Sequence, residues 1–98
     1  MDDKYSSYDF GFTRYTVKRV AVEGKTLVID GVYDFATGRL LFEDLKDGFS
    51  PDMRMIGGKV FGIRRKDLPE DYVLFRIYFD DGQIEYADII ARDLIYKM

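Results

Sequence analysis

The eight residues Tyr72-Val73-Leu74-Phe75-Arg76-Ile77-Tyr78-Phe79 admit few conformations. Successive side chains of an extended chain point to opposite faces. Val73, Phe75, Ile77 and Phe79 therefore share one face, and Tyr72, Leu74, Arg76 and Tyr78 the other. β-branched and aromatic residues fill both phases, which favours a strand over a helix. A strand apolar on nearly both faces belongs in the middle of a sheet or inside a barrel. Asp80-Asp81-Gly82 follows as a hairpin signal, and residues 83–90 return.

The rest of the chain repeats this texture. Strands are expected over 13–23, 26–35, 39–45 and 54–66. The hydrophobic phase of the first slips at Lys18-Arg19, which predicts a β-bulge. Glu23-Gly24-Lys25 is a tight turn. Gly31 lies inside a strand pattern, where it marks a bend or a close backbone approach. Ala36-Thr37-Gly38 reads as a hairpin loop with Gly38 at positive φ. The longest loop spans 46–53, and Asp67-Leu68-Pro69-Glu70-Asp71 is a polar turn. A short helical turn is expected near 87–94, before a last strand.

These segments predict an all-β, mainly antiparallel fold: a small β barrel or two-sheet sandwich of six or seven strands. The expected core is Val17, Val20, Leu27, Ile29, Leu40, Phe42, Val60, Ile63, Val73, Phe75, Ile77, Phe79, Ile84, Tyr86 and Leu94. A chain of 98 residues supports one domain over 1–98, with an N-terminal arm at 1–12 and the 46–53 loop between two β halves. Tyr8, Phe10 and Phe12 make the arm aromatic, suited to an edge strand or to docking on a partner.

An internal repeat supports the two halves. Gly38-Arg39-Leu40-Leu41-Phe42-Glu43-Asp44-Leu45 aligns with Gly82-Gln83-Ile84-Glu85-Tyr86-Ala87-Asp88-Ile89. Both read as a glycine turn entering a strand, with Asp44 and Asp88 as turn caps at equivalent strand ends.

Composition excludes much chemistry. The chain has no Cys and no His. A disulfide framework, the common zinc sites and Ser–His–Asp or Cys–His catalysis all require residues it lacks. Gly57-Gly58-Lys59 does not have the spacing of a phosphate loop. The carboxylates fall in turns without calcium-loop spacing, so no metal and no cofactor are expected. The N-terminus lacks a basic region followed by an apolar run, and no apolar stretch is long enough to span a bilayer. The expectation is a non-enzymatic, cytoplasmic protein.

Two surfaces compete as binding sites. Acidic turns beside tyrosines, formed by Glu70, Asp71, Tyr72, Tyr78, Asp80 and Asp81, suit a protein partner, because Tyr anchors interfaces and charge steers association. The basic stretch Arg54, Lys59, Arg64, Arg65 and Lys66, with Phe61 among them, suits a nucleic acid. The net charge of −3 disfavours the second.

Gly58-Lys59-Val60-Phe61, Tyr72 to Gly82 with its Phe79-Asp80-Asp81-Gly82 ending, Glu85-Tyr86-Ala87-Asp88 and Arg92-Asp93-Leu94 together resemble a Tudor or SH3-like small barrel. The resemblance covers 58–96 and implies a small barrel there. A preceding β segment of about fifty residues departs from that pattern. The expected function is a protein-interaction module that occludes a larger target, one that is basic or processes nucleic acid. An immunity protein or a phage-encoded anti-defence inhibitor has that form. The alternative is a nucleic-acid-binding barrel. No membrane partner is expected, and a homodimer is compatible with the aromatic arm.

Overall fold

The computed structural model describes residues 6–8, 14–33 and 36–97. Eight strands follow in chain order: β1 (Ser6–Tyr8), β2 (Tyr15–Glu23), β3 (Thr26–Tyr33), β4 (Ala36–Glu43), β5 (Lys59–Asp67), β6 (Val73–Asp81), β7 (Tyr86–Ala91) and β8 (Asp93–Lys97). Two 3-10 turns, Met53–Met55 and Pro69–Asp71, lie between strands. All ladders are antiparallel and form one sheet in the order β7-β6-β5-β2-β3-β4-β8. β1 pairs with β5 at 63–65, while β2 pairs with β5 at 59–60, so both lie along the same edge of β5. Phe10 and Phe12 of the expected arm lie outside the described residues. The all-β reading holds, and its strands belong to a single sheet.

A single sheet with one apolar face must curl to bury that face. Two contacts show that it does. Phe42 on β4 meets Phe75 on β6 edge-on, with ring centroids 5.3 Å apart. These strands are not neighbours in the ladder order, so the contact crosses the interior. β7 and β8 stand at opposite ends of the order yet are consecutive in the chain, separated by Arg92. At that bend the Arg92 amide donates to the Glu43 carbonyl (3.0 Å), and the Lys46 amide donates to Ile90 (3.0 Å).

The two halves of the sheet join at a short seam. Only Tyr15 and Thr16 of β2 pair with β5, opposite Val60 and Lys59. Val17 extends the contact by donating to Gly58 (2.9 Å) and accepting from Gly57 (2.8 Å). The bulge expected at Lys18 follows immediately, as a register shift between Val17 and Arg19. Tyr15 is completely buried at this seam. Its hydroxyl donates to the Gly38 carbonyl (2.8 Å) and lies 3.2 Å from that of Ile29. Burial first, then the nearby Asp30 and Tyr96, pushes its pKa well up, so the hydroxyl keeps its proton.

The glycines explain how a tyrosine fits there. Gly31 and Gly38 are opposite each other in the β3–β4 ladder. A Cβ at Gly31 would collide with the Tyr15 ring and sit 2.5 Å from the Thr16 carbonyl oxygen. One at Gly38 would sit 2.7 Å from the Tyr96 hydroxyl oxygen. The paired glycines thus provide the depth that two tyrosine rings fill.

That arrangement corrects the sequence reading of Gly38. It is mid-strand and is not among the positive-φ glycines, whereas Gly82 is, at φ 136°. Tyr33 pairs with Ala36 and Gly31 with Gly38, so Gly38 lies within the β3–β4 ladder rather than in a loop. The repeat alignment fails for the same reason. It matches Phe42, fully buried, to Tyr86, which is 44% exposed. Asp88 is mid-strand in β7 rather than a cap, and Asp44 follows β4 at φ 59°. The residues near 87–94 form two strands around a bend, without the expected helical turn. β5 begins at Lys59, not at 54, because Met53–Met55 is a 3-10 turn. Ile84 is only partly buried, and Tyr15, Met55 and Ile89 join the core unforeseen.

Gly31→Ala is expected to destabilise the fold by about 1–3 kcal/mol through overpacking against Tyr15. Tyr15→Phe is expected to cost about 1–3 kcal/mol by leaving a buried carbonyl without its donor. Urea denaturation of each variant beside the wild type measures both.

Candidate interaction surface

β6 separates the predicted acidic–tyrosine surface into two places. Tyr72 and Tyr78 share the outward phase, but they stand six positions apart, roughly 20 Å of strand. Glu70 and Asp71 belong to the Pro69 turn before β6, both at positive φ (66° and 64°). Asp80 and Asp81 are at its far end.

The Tyr72 end is a structural clasp. The Arg92 guanidinium lies 4.0 Å from the centre of the Tyr72 ring, and the Lys46 ammonium lies 5.2 Å from it. Arg92 also pairs with Asp44 at 2.8 Å and donates from Nε to the Glu70 carbonyl at 3.2 Å. One side chain thus ties the bend between β7 and β8 to the end of β4 and the turn before β6. Tyr72 is a wall of that clasp.

The other end presents an open strip of aromatics. β7 buries Ala87, Ile89 and Ala91, and that phase turns Tyr86 and Asp88 outward. Tyr78 is directly opposite Tyr86, their rings 6.4 Å apart. Phe61 occupies an irregular stretch of β5, where the register shifts between Val60 and Gly62. It is 53% exposed and its ring lies 5.9 Å from Tyr78. Arg64 flanks the strip 5.8 Å from the Tyr78 ring. Arg76 lies 4.1 Å from the Tyr86 ring and makes two bonds to Asp88, at 2.7 and 2.9 Å. Asp88 fixes Arg76 beneath Tyr86, so that ring has a set position.

Gly62 leaves a gap in this strip. It is opposite Tyr78 in the β5–β6 ladder, and a Cβ there would meet nothing within 4 Å. Open space therefore adjoins Phe61, Arg64 and Tyr78. Tyr86, expected in the core together with Ile84, is 44% exposed. The alternation of Ala87, Ile89 and Ala91 is the signal that identifies it as outward.

The basic stretch does not form one face. Arg54 belongs to the 3-10 turn and pairs with Asp52 at 2.8 Å. The Arg54 side chain and amide hold the Asp52 carboxyl below its usual range. Lys59 pairs in register with Asp81. Arg65 takes the core-facing phase opposite Phe75, 6.0 Å from its ring, and bonds Asp67 at 3.2 Å. Arg64 and Lys66 take the outward phase, with only Arg64 beside the aromatics.

A separate charge network crosses the outer face of β2, β3 and β4. Asp30 accepts from Arg19 at 2.9 Å and from Arg39 at 2.7 Å. Its partial burial raises the carboxyl pKa, but hydrogen bonds from Arg39 and Arg19 outweigh this and leave it lowered. Among the described residues no group of His, Cys, Asp or Glu is placed to hold a metal ion. None of their helices is long and apolar enough to cross a membrane.

No family model, no curated protein and no solved structure matches this chain.

Because Asp30 is depressed in the folded state, its stabilising effect is fully present above the ordinary carboxylate pKa. It is lost as pH falls through the lower, folded value. The stability gap between wild type and Asp30→Asn is therefore expected to be constant from pH 7 to about pH 5. It should close on further acidification, as measured by thermal melts across that range.

Proposed function

We propose that this chain is a non-enzymatic protein-binding module that grips a larger target through Phe61, Tyr78 and Tyr86. The observation that carries the reading is the strip itself. Two large rings, Phe61 and Tyr86, are 53% and 44% exposed on strands whose other face is closed core. Binding energy concentrates in a few aromatic and Arg residues set in a rigid surround. Here the rings stand on an ordered ladder, Arg64 and Arg76 flank them, and the space over Gly62 can receive a partner side chain. Tyr78, Asp80 and Asp81 of the sequence-derived surface belong to this end of β6; Glu70, Asp71 and Tyr72 belong to the clasp. A small domain without His or Cys can act by covering what it binds, as immunity and anti-defence inhibitors do.

A second reading follows from Arg64 beside Phe61 and Tyr78: unpaired bases can stack on such rings while a cation meets the phosphates. Salt distinguishes the two, because phosphate contacts release counterions and protein hot spots depend far less on salt.

The test compares one partner across variants. The wild-type chain, immobilised, should retain a defined protein from the source organism. Phe61→Ala and Tyr86→Ala should each weaken that complex by about 2 kcal/mol, roughly thirtyfold, with unchanged melting temperature. Gly62→Val is the sharper probe. Its side chain adds strand propensity and fills space that is empty in the free protein, so it should maintain stability while abolishing binding. Retention unaffected by all three variants sinks the proposal. A gel shift of a single-stranded oligonucleotide that these variants remove, and that weakens steeply with salt, establishes the second reading instead.

A further inference from the structure

We propose that the groove on the outer face of β2, β3, β4 and β8 is a binding site for a phosphate group, carried by a small phosphorylated ligand. It shares no residue with the aromatic strip and does not depend on that reading. The groove is open to solvent and has a volume of about 430 Å³; among the described residues its charged lining is Lys18, Arg39 and Lys97 against one acid, Asp30.

The ladder register shows why this is more than scattered surface charge. Arg19 is opposite Asp30, Asp30 opposite Arg39, and Arg39 opposite Lys97. The row reads plus, minus, plus, plus across four strands. Both guanidiniums share the one carboxylate, at 2.9 and 2.7 Å. Arg19 has a second acid in Glu23 at 3.7 Å, whereas Lys97 faces Arg39 directly. Like charges directly opposite in a ladder destabilise it. The bulge between Val17 and Arg19 adds Lys18 to the same concavity. A comparable row occurs on β5–β6–β7, where Arg64 is opposite Arg76. There each guanidinium lies over a tyrosine ring, and Asp88 binds Arg76 twice. Among the described residues, Lys18 and Lys97 have no such ring or acid.

An anion relieves this repulsion. A phosphate oxygen can accept from Lys18, from Lys97, from the Arg39 nitrogens not bonded to Asp30 and from the Thr37 hydroxyl, all at the groove. Bonds to ionised groups are the stronger kind. The volume falls in the range of small-ligand sites. Among the described residues no aromatic lines the groove, so that lining offers nothing for bases to stack on. That favours a compact phosphate over a single-stranded nucleic acid.

The test titrates pyrophosphate, and separately ATP, into the whole chain, reading calorimetric Kd and melting temperature. Both ligands should raise the melting temperature by mass action. Equal affinity means that the phosphates alone are recognised, and tighter ATP binding means a nucleotide; either supports the site. Lys18→Gln and Lys97→Gln should each raise Kd about tenfold, one charge-assisted bond's worth, and Lys59→Gln on β5 should leave it unchanged. Without ligand, Lys97→Gln should melt above the wild type at low salt, and added NaCl should narrow the difference. No stabilisation by either ligand overturns the proposal. So does equal weakening by Lys59→Gln, which marks diffuse charge. Binding of an oligothymidylate through these lysines without binding of pyrophosphate also overturns it, in favour of a nucleic-acid surface.

Discussion

The fold depends on Tyr15. Its strand is where the β5-β6-β7 half meets the β3-β4-β8 half, and its direct pairing with β5 is only two residues long. So short a seam would be a weak hinge if backbone bonds alone held it. The Tyr15 ring converts it into packing. It enters the core over the Gly31–Gly38 pair, and its hydroxyl reaches the Gly38 carbonyl two strands away. Beyond the seam, Phe42 against Phe75 joins the halves across the interior, and Arg92 clasps them at the rim. Seam, interior and rim together hold one sheet curled on itself.

The core is apolar, and polar and exposed aromatic side chains stand on the outer face. Among the described residues no polar or charged residue is buried, and no buried side-chain nitrogen or oxygen lacks a partner. Surface features therefore do not compensate for defects inside. Asp88 orders Arg76 and Tyr86, and Asp30 orders Arg19 and Arg39. Each carboxylate holds a cation in place on a rigid ladder, and rigidity lowers the entropic cost of binding. The aromatic strip and the cationic groove are separate products of the same construction, one on each half of the sheet.

Candidate sites were partly legible before the fold. Tyr78, Asp80, Asp81, Phe61 and Arg64 were singled out, but in two competing sets. The strand register merges Tyr78, Phe61 and Arg64 into one surface and sends Tyr72 to a clasp and Arg65 to the core-facing phase. Side-chain phase decided this, and a single irregularity in β5 changes phase. Tyr86 was misplaced because it shares the phase of Ile84, whereas β7 buries the alternate residues Ala87, Ile89 and Ala91. The groove was invisible in sequence, since Lys18, Arg39 and Lys97 come from three strands distant along the chain.

Hydrophobic alternation, turn residues and the phase slip at Lys18 determined by themselves that this chain is antiparallel β, where most strands run and which residues form most of the core. These are local properties, set by the two-residue period of a strand and by backbone preference. Tertiary structure alone decided which strands are neighbours, that Gly38 is a packing partner for Tyr15 and Tyr96 rather than a turn, and which side chains share a surface. Those outcomes depend on residues far apart in the chain meeting at contact distance. The repeat around Gly38 and Gly82 shows the boundary: the two segments match in letters, but one glycine turns the chain and the other makes room for a ring.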